Sequence, residues 1–339
     1  MPVRCTAKTL TWRRANGGAG SQIMQTAKLS ALCLSRHLFR KPSMLTLTCG
    51  NLEAVLAPEF GGCIARFAIH HENGTQELLR PLPQGISRPS PLDMACYPLV
   101  PFSGRITNGR FKFGGREVRL PPDEICVPHA IHGRGWKVPW RVADAYADRA
   151  SLSFSHEGDD PAWPWPWSFE ARQHIWLRDD ALVVTMHLTN HSSDTMPGGL
   201  GLHPFFPGRS TAEFRAKLPE VWESGVDGVP IGIAANPEKW RFDEFRSMRD
   251  IDVDNCFSGS DGHFDVQWPD RPYRLRVEAG GAPHTIVFAP PSEDFFCAEP
   301  VSHAPDAVNR PEPFWRTGLD HMPPRTTKGL KCSFFVEKR

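Results

Sequence analysis

Short runs of alternating apolar and polar residues, separated by glycine and proline, extend through the chain from residue 44 onward. Asn51–Ala57 and Leu182–Leu188 alternate in this way, and Phe111–Phe113 and Val118–Leu120 flank a Gly-Gly turn. A period of two residues is typical of β-strands, and the 33 prolines and 28 glycines supply many tight turns. Helical periodicity is rare, with Asn236–Met248 as a short, charged exception. The pattern predicts an all-β fold, either a sandwich or a barrel.

Residues 1–43 differ in composition from the remainder. They contain eight basic residues and no acidic residue. This composition is typical of an organellar transit peptide, but it also fits a disordered leader or a misassigned start. We expect a disordered leader that carries no chemistry. Residues 44–339 contain no linker-like stretch, which favours one β-sandwich domain.

Charge and cysteine content limit the classes of partner. The formal net charge is +1, which argues against nucleic acid or an anionic membrane surface as a partner. No apolar run approaches the roughly 20 residues of a membrane-spanning helix. The nine cysteines never form a C-x-x-C pair, which argues against a disulfide framework and a structural zinc site. We therefore expect a cytoplasmic protein.

His203 lies in a distinctive stretch, between the glycine-rich approach Gly198–Gly201 and the exit Pro204–Pro207. Proline restricts its own φ and disfavours helical geometry in the residue before it. A titratable group on a stiff segment with apolar walls suits proton transfer. The alternative is a histidine that ends a buried strand.

Two further histidines, His129 and His132, are three residues apart in Pro128–Trp136. Pro128, Gly133 and Gly135 oppose a helix, and third neighbours on an extended segment point to opposite faces. Only one of the two histidines is therefore expected to face a site. A metal-dependent jelly-roll enzyme using His129, His132 and His203 is an alternative that this spacing disfavours, and we expect no metal site.

Three charged residues lie among apolar or turn residues. Arg105 could hold neighbouring sugar hydroxyls or a carboxylate with its fork of donors, or could simply pack over a turn. Asp254 could accept from a polyol or form an Asx turn. Glu299 follows an apolar strand and precedes a proline, so burial could make it a general base, although a strand-edge salt bridge is the alternative.

Taken together and in this order, these stretches resemble the aldose 1-epimerase (galactose mutarotase) family. The matching segments are Phe102–Ile106, His132-Gly133, Trp165–Phe169, Met196–Phe206, Asp254–Phe257 and Ala298–His303. The resemblance implies a large antiparallel β-sandwich with a shallow sugar cleft on one face. It implies Glu299 as the general base at the anomeric hydroxyl, His203 as the acid at the ring oxygen, and His132 as a hydrogen-bonding partner near that oxygen. Arg105 and Asp254 then bind ring hydroxyls.

The implied reaction interconverts the α and β anomers of an aldose by ring opening and closure. It needs one acid and one base, which a carboxylate of raised pKa and a histidine of ordinary pKa, about 6.5, could supply near neutral pH. We expect no cofactor and a small-molecule sugar as the substrate of a monomer or weak homodimer. The alternative function is a non-catalytic carbohydrate-binding protein.

Three residues depart from the family pattern. Gly104 stands where asparagine is frequent, Phe205 where tyrosine is frequent, and Arg134 where a second glycine is expected. We expect Gly104 to remove one possible sugar contact. Arg134 could reach a carboxylate or phosphate, which leaves hexuronates and phosphorylated sugars open beside neutral hexoses.

Overall fold

The computed structural model describes residues 44–339, so the expected leader at residues 1–43 lies outside the described residues. The strands in the described region are β1 (Leu45–Cys49), β2 (Leu52–Ala57), β3 (Cys63–His71), β4 (Gly74–Glu77), β5 (Cys96–Leu99), β6 (Arg105–Ile106), β7 (Arg110–Phe113), β8 (Arg116–Arg119), β9 (Ala130–Ile131), β10 (Arg141–Ala145), β11 (Arg149–His156), β12 (Phe169–Leu177), β13 (Ala181–Asn190), β14 (Met196–Gly198), β15 (Gly201–Pro207), β16 (Glu213–Ala216), β17 (Glu220–Ser224), β18 (Pro230–Ala235), β19 (Arg246–Ser247), β20 (Val253–Ser258), β21 (His263–Gln267), β22 (Tyr273–Gly280), β23 (His284–Ala289), β24 (Phe295–Val301), β25 (Asp320–Met322) and β26 (Thr327–Lys338). The helical segments are the α-helix α1 (Phe314–Thr317) and the 3₁₀ turns Pro91–Asp93, Thr107–Gly109, Gly135–Lys137, Glu238–Trp240 and Ala307–Asn309.

Two large sheets contain most of the strands. The larger sheet has the order β1-β2-β3-β5-β15-β24-β23-β20-β17-β18, with β4 added beside β3. The second sheet has the order β10-β11-β12-β13-β26-β22-β21-β16-β19. Neighbouring strands in both sheets pair antiparallel, as in β13 with β26 and β15 with β24. The large antiparallel β-sandwich expected from the family resemblance is confirmed, and so is the hairpin of β7 and β8.

The main core lies between the two sheets. Phe206 of β15 is fully buried and its ring lies 6.0 Å from that of Phe264 on β21, across the sandwich. Because side chains alternate along a strand, the neighbours Phe205 and His203 point to the other face of the larger sheet. Alternation therefore separates the residues of the core from those of a potential site.

The other face of the larger sheet carries a second apolar cluster, which includes Tyr97, Phe205, Trp222 and Ile286. The segment between β5 and β10 contributes Ile131 and Trp136 to this cluster. An open cavity of about 440 Å³ remains on this face. No helix within residues 44–339 is long and apolar enough to cross a membrane.

The packing of Phe206 gives a test of the sandwich core. We expect Phe206→Ala to lower the free energy of unfolding by about 3–5 kcal/mol, because it removes a fully buried ring and leaves a cavity. Phe314→Ala is the matched control, since Phe314 is 68% exposed and its loss should change stability by no more than about 0.5 kcal/mol. Urea unfolding of both variants measures the difference. Equal stability losses would contradict the proposed core.

Candidate active site

The antiparallel register of three strands places His203 beside Glu299. On one side β15 pairs with β5, which puts His203 opposite Tyr97. On the other side, the pairs Gly201–Val301 and Phe205–Cys297 place His203 opposite Glu299 of β24. On the next strand, β23, Ile286 lies opposite Glu299. Directly paired residues on neighbouring strands point to the same face, so the sheet itself brings the histidine and the glutamate together.

His203 and Glu299 are in contact in the cavity. His203 Nε2 lies 3.1 Å from Glu299 Oε1, and the two side chains are only 8% and 3% exposed. The His203 ring stacks against Tyr97 and against Phe205, with centroid distances of 4.3 and 4.7 Å. His203 Nδ1 and Glu299 Oε2 are buried without a hydrogen-bond partner. A buried polar atom without a partner is costly, which favours a ligand that supplies one.

Burial shifts the pKa values of the two groups in opposite directions. Burial, followed by the nearby charge of Asp254, raises the pKa of Glu299 well above its ordinary range. Burial lowers the pKa of His203 to about 3, and Arg80 contributes to this shift. The expectation of an ordinary histidine pKa near 6.5 is therefore wrong, because aromatic rings replace water around the imidazole. Both shifts favour the uncharged form, so burial favours a proton on Glu299 and a neutral imidazole at His203.

His132 is positioned by its backbone at the edge of the cavity. It follows β9 with a φ of +59°, and the backbone N–H of Gly104 donates to His132 Nδ1 at 3.1 Å. Burial, followed by His203, lowers the pKa of His132, so the ring is neutral and its proton lies on Nε2. Gly104 itself has a φ of +66°, and a Cβ there would lie 2.8 Å from Pro305 Cβ. An asparagine would be strained at this position, which explains the departure from the family pattern.

Arg105 and Asp254 contact each other and line the same cavity. Arg105 Nη2 lies 3.3 Å from Asp254 Oδ2, and Arg105 Nη1 donates to the carbonyl of Gly228 at 3.3 Å. Arg105 Nε is buried without a partner, and the Asp254 side chain is 44% exposed. The cavity is therefore lined by all five residues predicted from the sequence: Arg105, His132, His203, Asp254 and Glu299.

One group of three side chains has the composition of a metal site. Ligand atoms of His132, His203 and Glu299 lie within 4.8 Å of one another. Histidine ligands normally donate their second ring N–H and bind metal through the unprotonated nitrogen. His132 accepts at Nδ1, so its Nε2 carries the proton and is not a free ligand. The donor set therefore does not suit a three-ligand metal. His129 lies outside the group, 3.7 Å from Asp227.

Arg134, which could have reached a substrate carboxylate or phosphate, does not line the cavity that contains His203 and Glu299. Arg134 forms a salt bridge with Asp160 and lines a different surface depression. Arg80 lies in the cavity instead, with its guanidinium 3.9 Å above the Phe205 ring. Arg80 stands in no motif, so nothing in the sequence indicated that it would line the cavity.

Comparisons with known proteins indicate the family of this chain. The family model described as aldose 1-epimerase matches residues 43–319. The uncharacterized protein YphB of Escherichia coli K12 is 30% identical over 279 residues, which cover 80% of this chain and 91% of YphB.

Solved structures show the same fold at lower identity. A galactose mutarotase-like protein from Clostridium acetobutylicum aligns with a TM-score of 0.78 and 18% identity, covering 87% of this chain and 95% of its own. A galactose 1-epimerase from Lactobacillus acidophilus NCFM aligns with a TM-score of 0.68 and 13% identity, covering 87% and 94%. With a family model matching most of its length, the chain belongs to the aldose 1-epimerase family.

Proposed function

We propose that residues 44–339 form a cofactor-independent mutarotase, which interconverts the α and β anomers of an aldose. The observation that carries the proposal is the buried contact of 3.1 Å between His203 Nε2 and Glu299 Oε1 at the cavity surface. The anomeric hydroxyl and the ring oxygen of an aldose are bonded to the same carbon. An acid and a base that act on these two oxygens must therefore lie close together, as this pair does.

The pair can supply both proton transfers without a net change in its own protonation. The contact lets the Glu299 proton pass to His203, which produces a carboxylate and an imidazolium. Glu299 then removes the proton of the anomeric hydroxyl while His203 protonates the ring oxygen, and the ring opens. The proton is again on Glu299, which is the state that burial favours. After the carbonyl carbon rotates, the reverse transfers close the ring on its other face.

The remaining residues bind and orient the sugar. His132 directs its Nε2–H toward the ring-oxygen side of the pair, since its ring lies 5.5 Å from that of His203 in an edge-to-face arrangement. A neutral donor there stabilises negative charge that develops on the oxygen during ring opening. Arg105 and Asp254 provide donors and an acceptor for hydroxyls on the other side of the ring.

A reducing compartment, the cytoplasm, is proposed as the location. The seven cysteines of residues 44–339 are free thiols, and five of them are buried. Free buried thiols are typical of proteins that are not exposed to an oxidising environment.

Removal of the base tests the proposal. We expect Glu299→Gln to lower kcat for mutarotation by about 10²–10⁴-fold with a much smaller change in KM, because general base catalysis is lost while the shape is kept. His203→Asn should likewise slow ring opening far more than it weakens binding. Polarimetry of freshly dissolved α-glucose and α-galactose measures the rate.

Glu278→Gln is the matched control, since Glu278 is exposed on the second sheet and should leave the rate unchanged. Equal rates for the wild type and Glu299→Gln across a panel of aldoses would refute the catalytic role. Calorimetric sugar binding without any mutarotation would favour the alternative, a carbohydrate-binding protein.

The raised pKa of Glu299 predicts a specific pH dependence of stability. The unfolded chain releases this proton above about pH 4.5, whereas the folded protein retains it, so wild-type stability falls as pH rises toward the folded pKa. Glu299→Gln removes this loss. The variant should therefore gain stability relative to the wild type by up to about 1.4 kcal/mol per pH unit above pH 4.5. Urea unfolding at a series of pH values from 4 to 8 measures the difference, and a constant difference over this range would contradict the assigned shift.

A further inference from the structure

The imidazole of His203 lacks the hydrogen bond that usually orients a histidine that transfers protons. Such a histidine reacts through one ring nitrogen and is held by a hydrogen bond at the other. In His203, Nε2 faces Glu299, whereas Nδ1 is buried without a hydrogen-bond partner among the described residues. Glu299 cannot hold the ring throughout the proposed reaction, because both groups must then bind sugar oxygens. Another contact is needed to keep Nε2 pointing into the cavity.

Tyr97 on β5 provides a contact of suitable geometry. It lies directly opposite His203 in the antiparallel register. Its ring stacks on the imidazole with a centroid distance of 4.3 Å and an interplanar angle of 26°. A ring at this distance leaves no room for the imidazole to turn through a perpendicular orientation. The stack therefore restricts rotation of His203 about its Cβ–Cγ bond and leaves both ring nitrogens free at the ring edge.

Tyr97 is itself held in place by packing. It is 1% exposed and stacks on Trp136, which is 2% exposed, with a centroid distance of 5.2 Å. Phe205 also contacts the imidazole, at 4.7 Å, but it belongs to the same strand as His203. Tyr97 belongs to a neighbouring strand, so it fixes His203 relative to a different part of the sheet.

The same tyrosine supports the second histidine of the cavity. The Tyr97 ring meets the His132 ring edge-to-face, with a centroid distance of 6.0 Å. The rings of His132 and His203 lie 5.5 Å apart at an interplanar angle of 87°. Tyr97 thus contacts both imidazoles, and its position affects the angle between them.

The titratable groups around the His203 imidazole come from different parts of the chain. They are Tyr97 of β5, His132 after β9, Glu299 of β24 and Arg80 after β4. Burial, followed by the charge of Glu299, raises the pKa of Tyr97 well above its ordinary value, so the phenol stays neutral. Tyr97 therefore adds no charge beside the imidazole and acts on it by contact and by excluding water.

We infer that Tyr97 is a positioning residue of the acid–base pair, whose ring fixes the imidazole of His203 and shields one of its faces from water. The aromatic ring, rather than the hydroxyl, performs this role. Its effect on the rate rests on the proposed function, whereas its effect on the imidazole can be measured without a substrate.

Polarimetry of aldose variants tests the effect on the rate. Tyr97→Leu removes the ring but keeps an apolar side chain, and we expect kcat to fall by roughly 10²-fold, as for a catalytic group displaced by about 1 Å. KM should stay within about threefold, and Tyr97→Phe, which keeps the ring, should retain kcat within about threefold. Tyr146→Leu is the matched control, since Tyr146 is 56% exposed and its replacement should leave the rate unchanged.

Two outcomes of this comparison would overturn the positioning role. An equal loss of kcat in Tyr97→Phe and Tyr97→Leu would show that the hydroxyl acts rather than the ring. A raised KM with unchanged kcat in Tyr97→Leu would make Tyr97 a sugar-binding surface. Urea unfolding checks each variant, and Tyr97→Met, whose flexible side chain refills the space, replaces Tyr97→Leu if the latter does not fold.

The pH profile distinguishes positioning from a general loss of structure. The pair lacks a base once His203 takes up a second proton, which in the wild type happens only below its pKa of about 3. Loss of the ring admits water, so in Tyr97→Leu this pKa should rise toward about 6.5. The kcat of Tyr97→Leu should then fall as pH drops from 7 to 5, while the wild type and Tyr97→Phe stay constant. A variant that is merely destabilised would keep the wild-type profile, which would contradict the role of Tyr97.

An NMR titration of the imidazole does not depend on catalysis. His203→Asn identifies the His203 signal by its loss. We expect this signal not to titrate between pH 5 and 8 in the wild type and Tyr97→Phe, and to titrate in Tyr97→Leu. An unchanged titration in Tyr97→Leu would overturn the inference whatever the activity. If the titration changes as expected but the wild type converts no aldose, the mutarotase proposal alone is refuted.

Discussion

The pairing of β15 with β24 is the constraint on which the rest of the site depends. It sets His203 opposite Glu299 in the middle of a large sheet, where strands on both sides restrict any movement. A shift of one residue would turn both side chains into the sandwich core. Phe206, packed between the sheets, opposes such a shift because it would have to leave the core. The stability of the sandwich and the geometry of the acid–base pair are therefore linked through one strand.

Burial of this pair controls the charge of the two side chains as well as their position. Each group alone would be costly to charge on this apolar face, and the pKa shifts of Glu299 and His203 express that cost. Sharing one proton across a short contact avoids a net charge in either arrangement of the proton. Of the surrounding residues, His132 provides a neutral hydrogen-bond donor. Arg105 and Asp254 provide charged donors and an acceptor. The cavity thus combines a nearly neutral reacting centre with the charged groups of Arg105 and Asp254.

Much of this arrangement could be predicted from the sequence. Turn residues at short intervals indicated the all-β fold, and the ordered motifs indicated the family and the five residues that line the cavity. The pattern around His132 predicted that only one of it and His129 faces a site, and of the two only His132 lines the cavity of His203 and Glu299. The fold prediction relied on local backbone chemistry, which glycine, proline and residue alternation report directly. The roles of the five residues relied on the family resemblance.

Other features depend on contacts that a single sequence does not contain. The pKa of His203 depends on stacking by Tyr97, which comes from a strand distant in the chain. Arg134 stood next to a site motif but turns to Asp160, whereas Arg80, outside any motif, enters the cavity. The tautomer of His132 depends on a single backbone N–H group, that of Gly104. Packing and register determine these features.

The orientation of a bound sugar is the central claim of the account. A crystal structure of the Glu299→Gln variant with bound glucose tests it most directly, because the variant should retain the sugar without rapid turnover. The account predicts the anomeric hydroxyl within hydrogen-bonding distance of residue 299, the ring oxygen beside His203 and His132, and other hydroxyls at Arg105 and Asp254. A sugar bound with its anomeric carbon at Arg105 and Asp254, away from His203, would contradict it.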